Sequence, residues 1–144
     1  MTTITICRIS EIAKIPSYAN EGDSGLDLFS IEDAMIKPGD YKTIHTGIIV
    51  ELPSGFEAQI RSRSGLSSKY GLAVLNSPGT IDQGYRGEIK VILINHGKEL
   101  FHVLEGMKIA QMVVAPVQRI EIEEREKISF ETGRGANGFG SSGL

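Results

Sequence analysis

Glycine and proline interrupt this chain so often that no long helix has room to form. Seventeen glycines and five prolines are spread over 144 residues, and short segments rich in Ile, Val and Thr lie between them. β-Branched side chains lose rotamer freedom in a helix and pack well on a pleated surface, so the texture is one of strands and turns. Residues 3–9 alternate Ile4 and Ile6 with Thr3, Thr5 and Cys7, which predicts a half-buried strand. Residues 47–52 stop at Pro53-Ser54-Gly55 and an apolar run resumes over 56–60, giving strand, turn and strand. Residues 88–95 put Ile89, Val91 and Leu93 on one face and Lys90, Ile92 and Ile94 on the other, and both faces are expected to be largely covered. Residues 109–115 and 117–123 predict two more strands, with Pro116 breaking or bulging between them. The one helical signal is residues 64–70, expected to be capped by Ser64 and ended by Gly71. Short strands at this spacing predict an all-β sandwich or barrel with Greek-key or jelly-roll connections.

Charge and composition narrow the function classes. Hydrophobic residues make up 40% and charged residues 23%, enough for a real core. A formal net charge of −3 argues against a general binder of nucleic acid or of anionic membranes. The single cysteine, Cys7, excludes an internal disulfide and a thiolate-rich zinc site. His45, His96 and His102 lack metal-ligand spacing, and His96 is expected in an exposed turn. No apolar run reaches membrane-spanning length, and the N-terminal residues do not resemble a signal peptide, so a soluble cytoplasmic protein is expected. Residues 1–128 read as one domain. Residues 129–144 differ, with five glycines (133, 135, 138, 140 and 143) around Phe139. They read either as a frayed end or as a flexible arm that orders over a ligand.

Two further segments concentrate polar groups. Arg61-Ser62-Arg63-Ser64-Gly65 sets cations and hydroxyls where a short helix begins, which suits either an anion or a salt-bridged turn. Residues 76–87, a turn-rich hairpin, carry Asn76, Asp82, Tyr85 and Arg86. Asp82 there is either a general base that orients water or a turn-capping residue. The arm adds Arg134, Phe139 and a donor-rich backbone, a set suited to base stacking and phosphate contact.

In order and spacing these segments resemble the trimeric dUTPase family from Ser24 to Gly143. Ser24-Gly25-Leu26-Asp27-Leu28 is similar to the first family motif, and Arg63-Ser64-Gly65-Leu66 with Lys69 to the second. Gly79-Thr80-Ile81-Asp82 with Tyr85-Arg86-Gly87 resembles the third, and Gly106-Met107-Lys108-Ile109-Ala110-Gln111 the fourth. Residues 134–143 resemble the fifth, with Asn137 where glycine is common and Ser142 where threonine is common; Ser24 stands where alanine is common. The resemblance implies a jelly-roll-like distorted β-barrel with one short helix and a glycine-rich arm. It also implies a homotrimer with shared active sites and Mg²⁺-dependent hydrolysis of dUTP to dUMP and pyrophosphate. Asp82 would activate the attacking water, and Tyr85 would pack against the deoxyribose. Asn76 and the backbone through Gly79 would read uracil. Arg63, Ser64, Gly65 and Gln111 would hold phosphates, with Arg134, Gly140, Ser141 and Ser142 closing from the arm and Phe139 covering the base. Asp27 would touch the metal only through water. Two rivals are a dCTP deaminase-like enzyme of the same fold and a non-catalytic nucleotide-binding module. The first needs a proton-transferring glutamate where this chain has Ile92; the second would be marked by loss of Asp82, which is present.

Overall fold

The computed structural model describes residues 2–129, 131–139 and 141. In chain order the strands are β1 (Thr5–Arg8), β2 (Leu26–Phe29), β3 (Ala34–Ile36), β4 (Tyr41–Glu51) and β5 (Phe56–Arg61). Helix α1 (Ser64–Tyr70) follows, then β6 (Leu72–Val74), β7 (Gly79–Ile81), β8 (Glu88–Asn95), β9 (Phe101–Val103) and β10 (Lys108–Pro116). They form two four-stranded antiparallel sheets, β1-β4-β8-β6 and β2-β10-β5-β7, with a two-stranded β3-β9 sheet beside them. This is the jelly-roll-type all-β fold that the resemblance implies.

Alternation builds the core. Ile44, Ile48 and Val50 of β4 and Ile89, Val91 and Leu93 of β8 are buried, as are Leu28, Ile60, Ala110 and Met112 of the other sheet. Each fully buried aliphatic side chain of this size contributes about 1.5–3 kcal/mol relative to leaving it in water. Strand β8 spans the expected residues, but its second face is only half covered: Ile92 and Ile94 are partly exposed and Lys90 is exposed. Pro53–Gly55 does not close a hairpin, because β4 and β5 lie in different sheets. It is a corner that carries the chain from one layer to the other. Residues 76–87 also do more than turn. Their strand β7 pairs with β5 in one sheet, while the flanking β6 and β8 pair in the other.

Two expectations need correction. Residues 117–123 form no strand in this chain. A strand needs a partner edge, and none is paired here; Ile120 and Ile122 are instead 77% and 91% exposed. Ser64 is the first residue of α1 and not its cap. The N-cap is Arg63, with extended backbone and no capping side-chain bond, and Gly71 ends the helix at φ +68° as expected. A side chain at Gly71 would also collide with the Gly97 backbone, so this glycine meets both demands. His96 is exposed in its turn as expected. Its neighbour Asn95 is buried and fully employed, donating to Ile36 O and Glu99 O at 2.8 Å each and accepting from Gly97 N at 2.9 Å.

The β4–β8 pairing supplies a pH prediction. Burial alone raises the Glu88 pKa, but the His45 hydrogen bond, the Gly47 N–H and the charges of His45 and Lys90 together outweigh it, leaving Glu88 below its ordinary 4.5. A lowered folded-state pKa adds stability that is present above the unfolded value and lost as pH falls through the folded one. Wild type is therefore expected to melt above Glu88→Gln at pH 7, with the gap closing below pH 4.5. Thermal melts of both proteins from pH 3 to pH 7 check this; a constant gap would contradict it.

Candidate active site

One cleft of about 480 Å³ opens between the loop before β2, the start of α1 and the middle of β10. Its volume lies in the usual range for small-molecule sites. Five of the expected residues line it: Asp27, Arg63, Ser64, Gly65 and Gln111. Pairing of β10 with both β2 and β5 explains this, since Gln111 faces Asp27 on one side and Arg61 on the other.

Asp27 is the electrostatic centre. Only 7% of the residue is exposed. Its Oδ1 lies 3.2 Å from Arg63 Nε, and its Oδ2 lies 2.6 Å from Lys108 Nζ. Oδ2 is itself buried, and the lysine is its charge partner. A carboxylate buried between two cations gains little net stability, because its desolvation cancels much of the attraction. Arg63 is further fixed by donating to Lys108 O at 3.3 Å. Lys108 and Lys69 are cations for which the sequence reading named no role; both stood in motif positions, and Lys69 lines the cleft while Lys108 holds Asp27.

Gln111 is half committed. Its Nε2 donates to Ser62 O at 2.9 Å, which leaves one amide hydrogen for a ligand. Gly25 lies so close beneath it that a Cβ would collide with Gln111 Oε1. At Gly65, by contrast, a Cβ would meet nothing within 4 Å, so the helix start opens freely toward the cleft. The first N–H groups of a helix have no intrahelical acceptor and can serve an anion. Arg61 and Ser62 do not share this role. Arg61 donates to Gln59 Oε1, and Ser62 Oγ accepts from Val74 N at 2.9 Å.

The other expected residues lie elsewhere. Asp82 follows β7 and lines a separate recess of about 220 Å³ with Gly55, Gln83 and Arg119. It is exposed, and its carboxylate makes no hydrogen bond among the described residues, so it is not a turn cap. Its backbone carbonyl accepts from Tyr85 N at 3.0 Å. Tyr85 is 44% exposed and its hydroxyl donates to Glu88 O at 3.1 Å. Asn76 is exposed and Gly79 buried, with Asn76 Nδ2 close enough to leave little room for a side chain at Gly79. Register keeps the two groups apart within one chain. Ile81 faces Ala58, which places Asp82 opposite Glu57. Arg63 is six residues further on, roughly 20 Å at ~3.3 Å per residue.

None of the described arm residues lines either the cleft or the recess. Arg134 Nε donates to Asn137 O at 3.0 Å, Ser141 N donates to Gly138 O at 3.2 Å, and the Phe139 ring is fully exposed. Gly140 and Ser142 lie outside the described residues. Among the described residues no three His, Cys, Asp or Glu side chains converge as a metal cage. No helix among them is long and apolar enough to cross a membrane.

A jelly-roll-type fold with one polar cleft, lined by Arg63 and Lys69 as well as Asp23 and Asp27, and with a separate carboxylate-bearing hairpin defines the class as all-β proteins of jelly-roll type. The family follows from comparison: residues 11–143 match the dUTPase family, and this chain belongs to it. The deoxyuridine 5'-triphosphate nucleotidohydrolase of Alkaliphilus metalliredigens is 58% identical over 144 residues, covering 100% of this chain and 99% of that protein. The protein of that name from Clostridioides difficile is 53% identical over 100% of both. Among solved structures, a Staphylococcus bacteriophage 80alpha dUTPase with dUpNHpp superposes with TM-score 0.93 at 27% identity, covering 100% of both chains. A mutant dUTPase from phage phi11 of S. aureus, whose structure describes coordination of a structural Mg(II) ion, has TM-score 0.81 at 27% identity over 88% of this chain and 98% of that one.

Proposed function

We infer that this protein hydrolyses dUTP to dUMP and pyrophosphate by water attack on the α-phosphorus, with Mg²⁺ as cofactor. The reaction keeps uracil out of DNA and supplies dUMP for thymidylate synthesis. The observation that carries the reading is the match along the whole chain, at 58% identity, to a protein named for this activity. The geometry agrees with it. Arg63, the start of α1 and the free amide hydrogen of Gln111 face one cleft, where they suit a triphosphate. Asp82 would take the proton from water, Tyr85 would pack against the deoxyribose, and Asn76 with the backbone to Gly79 would read the uracil edge.

The residues around Asp27 are compatible with Mg²⁺ held through water. Asp27 already faces Arg63 and Lys108, and among the described residues no cage of carboxylates stands ready. In this reading Asp27 would hold metal-bound water, since Mg²⁺ keeps several waters and takes phosphate oxygens as ligands. Bound there, the ion would supply charge neutralisation on the triphosphate.

We further propose a homotrimer with shared sites, in which residues 1–128 form the barrel and residues 129–144 the closing arm. The ~20 Å between Asp82 and Arg63 along one chain supports sites completed by different subunits. The bare Ile120 and Ile122 support a tail that finds its partner on a neighbour. A deaminase reading has no support at position 92, where Ile92 can move no proton.

The test is pyrophosphate release from dUTP, dTTP, dCTP and UTP. dUTP is expected to be turned over far faster than the other three, and Tyr85→Ala to narrow the gap to UTP. Excluding a 2′-hydroxyl with a close-packed ring is a steric effect, and it can exceed the ~1–3 kcal/mol of one lost apolar contact. Equal turnover of UTP and dUTP by wild type would overturn the role given to Tyr85.

A further inference from the structure

The hairpin that carries Asp82 and Tyr85 runs directly into Glu88, the first residue of β8. There the β4–β8 ladder is irregular. Regular pairing ends at His45↔Lys90, and the register has shifted by the next pair, Ile49↔Glu88. A β-bulge of this kind leaves residues without ladder partners and re-aims the neighbouring chain. Here side chains replace the missing ladder bonds. Gly47, at φ +68° inside the bulge, donates its N–H to Glu88 Oε1 at 2.9 Å. His45 Nδ1 lies 2.8 Å from Glu88 Oε2, and Thr46 Oγ1 donates to Ile89 O. Three consecutive residues of β4 thus grip the first two residues of β8.

That grip reaches Tyr85 by a short route. The Tyr85 hydroxyl donates to the backbone carbonyl of Glu88 at 3.1 Å. Its ring lies on Gly87 so closely that a Cβ there would overlap both the hydroxyl and Cζ. The ring is therefore held by two adjacent residues, and the second is fixed to β4 through its own carboxylate. The Glu88 side chain is only 14% exposed. Arg86, between Tyr85 and Gly87, is paired with Glu51, but that pair is exposed on both sides, and exposed pairs of this kind contribute little.

We propose that Glu88, clamped by His45 and Gly47, is a positioning residue for sugar discrimination: it sets where the Tyr85 ring stands against the substrate. This rests on the dUTP-hydrolysing reading above. Glu88 touches no reacting atom; it acts through the Glu88 carbonyl and the Gly87 floor. A wall that excludes one hydroxyl must be placed closely, and small displacements in a site are costly.

The test measures kcat and KM for dUTP and UTP with wild type, Glu88→Ala, Glu88→Gln and His45→Ala, each checked for folding by thermal melt. In Glu88→Ala the ratio of kcat/KM for dUTP over UTP is expected to fall about tenfold or more. Glu88→Gln is expected to stay within about threefold of wild type, because its amide oxygen still accepts from Gly47 and its NH₂ can donate to His45. His45→Ala, which removes one half-exposed arm of the clamp, is expected between the two. Should Glu88→Ala not fold, His45→Ala decides by the same ratio. An unchanged ratio in folded Glu88→Ala overturns the proposal, and so does an equal loss with both nucleotides, which would mark general structural damage. Wild type that releases no pyrophosphate from dUTP overturns the functional reading itself, and wild type that does not favour dUTP over UTP overturns the role given to Tyr85; both are seen before any variant is compared.

Discussion

Asp82→Asn is expected to slow dUTP turnover by roughly 10²–10⁴, the usual worth of a general base. Water attacks a phosphorus already surrounded by negative charge, so the site must both neutralise that charge and remove a proton. Arg63, Lys69 and Arg134 can do the first but have no acceptor for the second. Of the two carboxylates matched to the site, Asp27 is held between Arg63 and Lys108 in the cleft. Asp82 is different: it stands exposed on the hairpin, and no described residue donates to its carboxylate. Asparagine keeps the shape and an acceptor oxygen but loses the basicity. Single-turnover rates should therefore drop, while the Kd for a non-hydrolysable dUTP analogue changes little, since Asp82 is assigned to neither phosphate nor uracil. Loss of binding along with turnover would make Asp82 structural, and near-normal turnover would place the base elsewhere.

What the sequence disclosed depended on how local each signal was. Residues 88–95 were legible to the residue because alternation and its bounding polar residues are local, and they are β8. The start of β4 at Tyr41 was not, since Tyr41, Lys42 and Thr43 are exposed and carry no apolar alternation. They are strand because β8 lies alongside. Residues 117–123 failed for the opposite reason. Their Ile120–Ile122 alternation is a genuine strand pattern, but a pattern cannot supply the partner edge. Among site residues, Arg63, Ser64, Gly65 and Gln111 were found by motif and do share a cleft. The Asp27–Lys108 contact joins residues 81 apart in sequence, and only the β2–β10 pairing brings them together. The clamp on Glu88 was invisible for a related cause: the register shift in β4 sets the Gly47 N–H and the His45 ring against a residue 41 to 43 positions away.

Cutting the chain after Thr132 is expected to leave a folded assembly with little activity. The described arm residues make hydrogen bonds only among themselves, such as Gly135 N to Thr132 Oγ1 at 2.9 Å, so removing them takes no support from the barrel. Phe139, in contrast, has its whole ring in water. An aromatic ring flanked by glycines offers a base a stacking face, and Phe139→Ala alone should weaken substrate binding by about 1–3 kcal/mol. Sixteen residues reach at most ~55 Å when extended, while a domain of this length has a radius of gyration near ~15 Å. A neighbouring subunit is thus within range. Mixing separates the alternatives. Arm-less protein still carries Asp82, and Asp82→Asn protein still carries the arm. If one chain's arm closes over another chain's Asp82, subunit exchange creates sites holding both, and activity should return above that of either parent. If each arm closed over its own chain's Asp82, no mixed site would be complete. The absence of rescue after exchange has been verified by mass would therefore exclude arms that serve a neighbour's base.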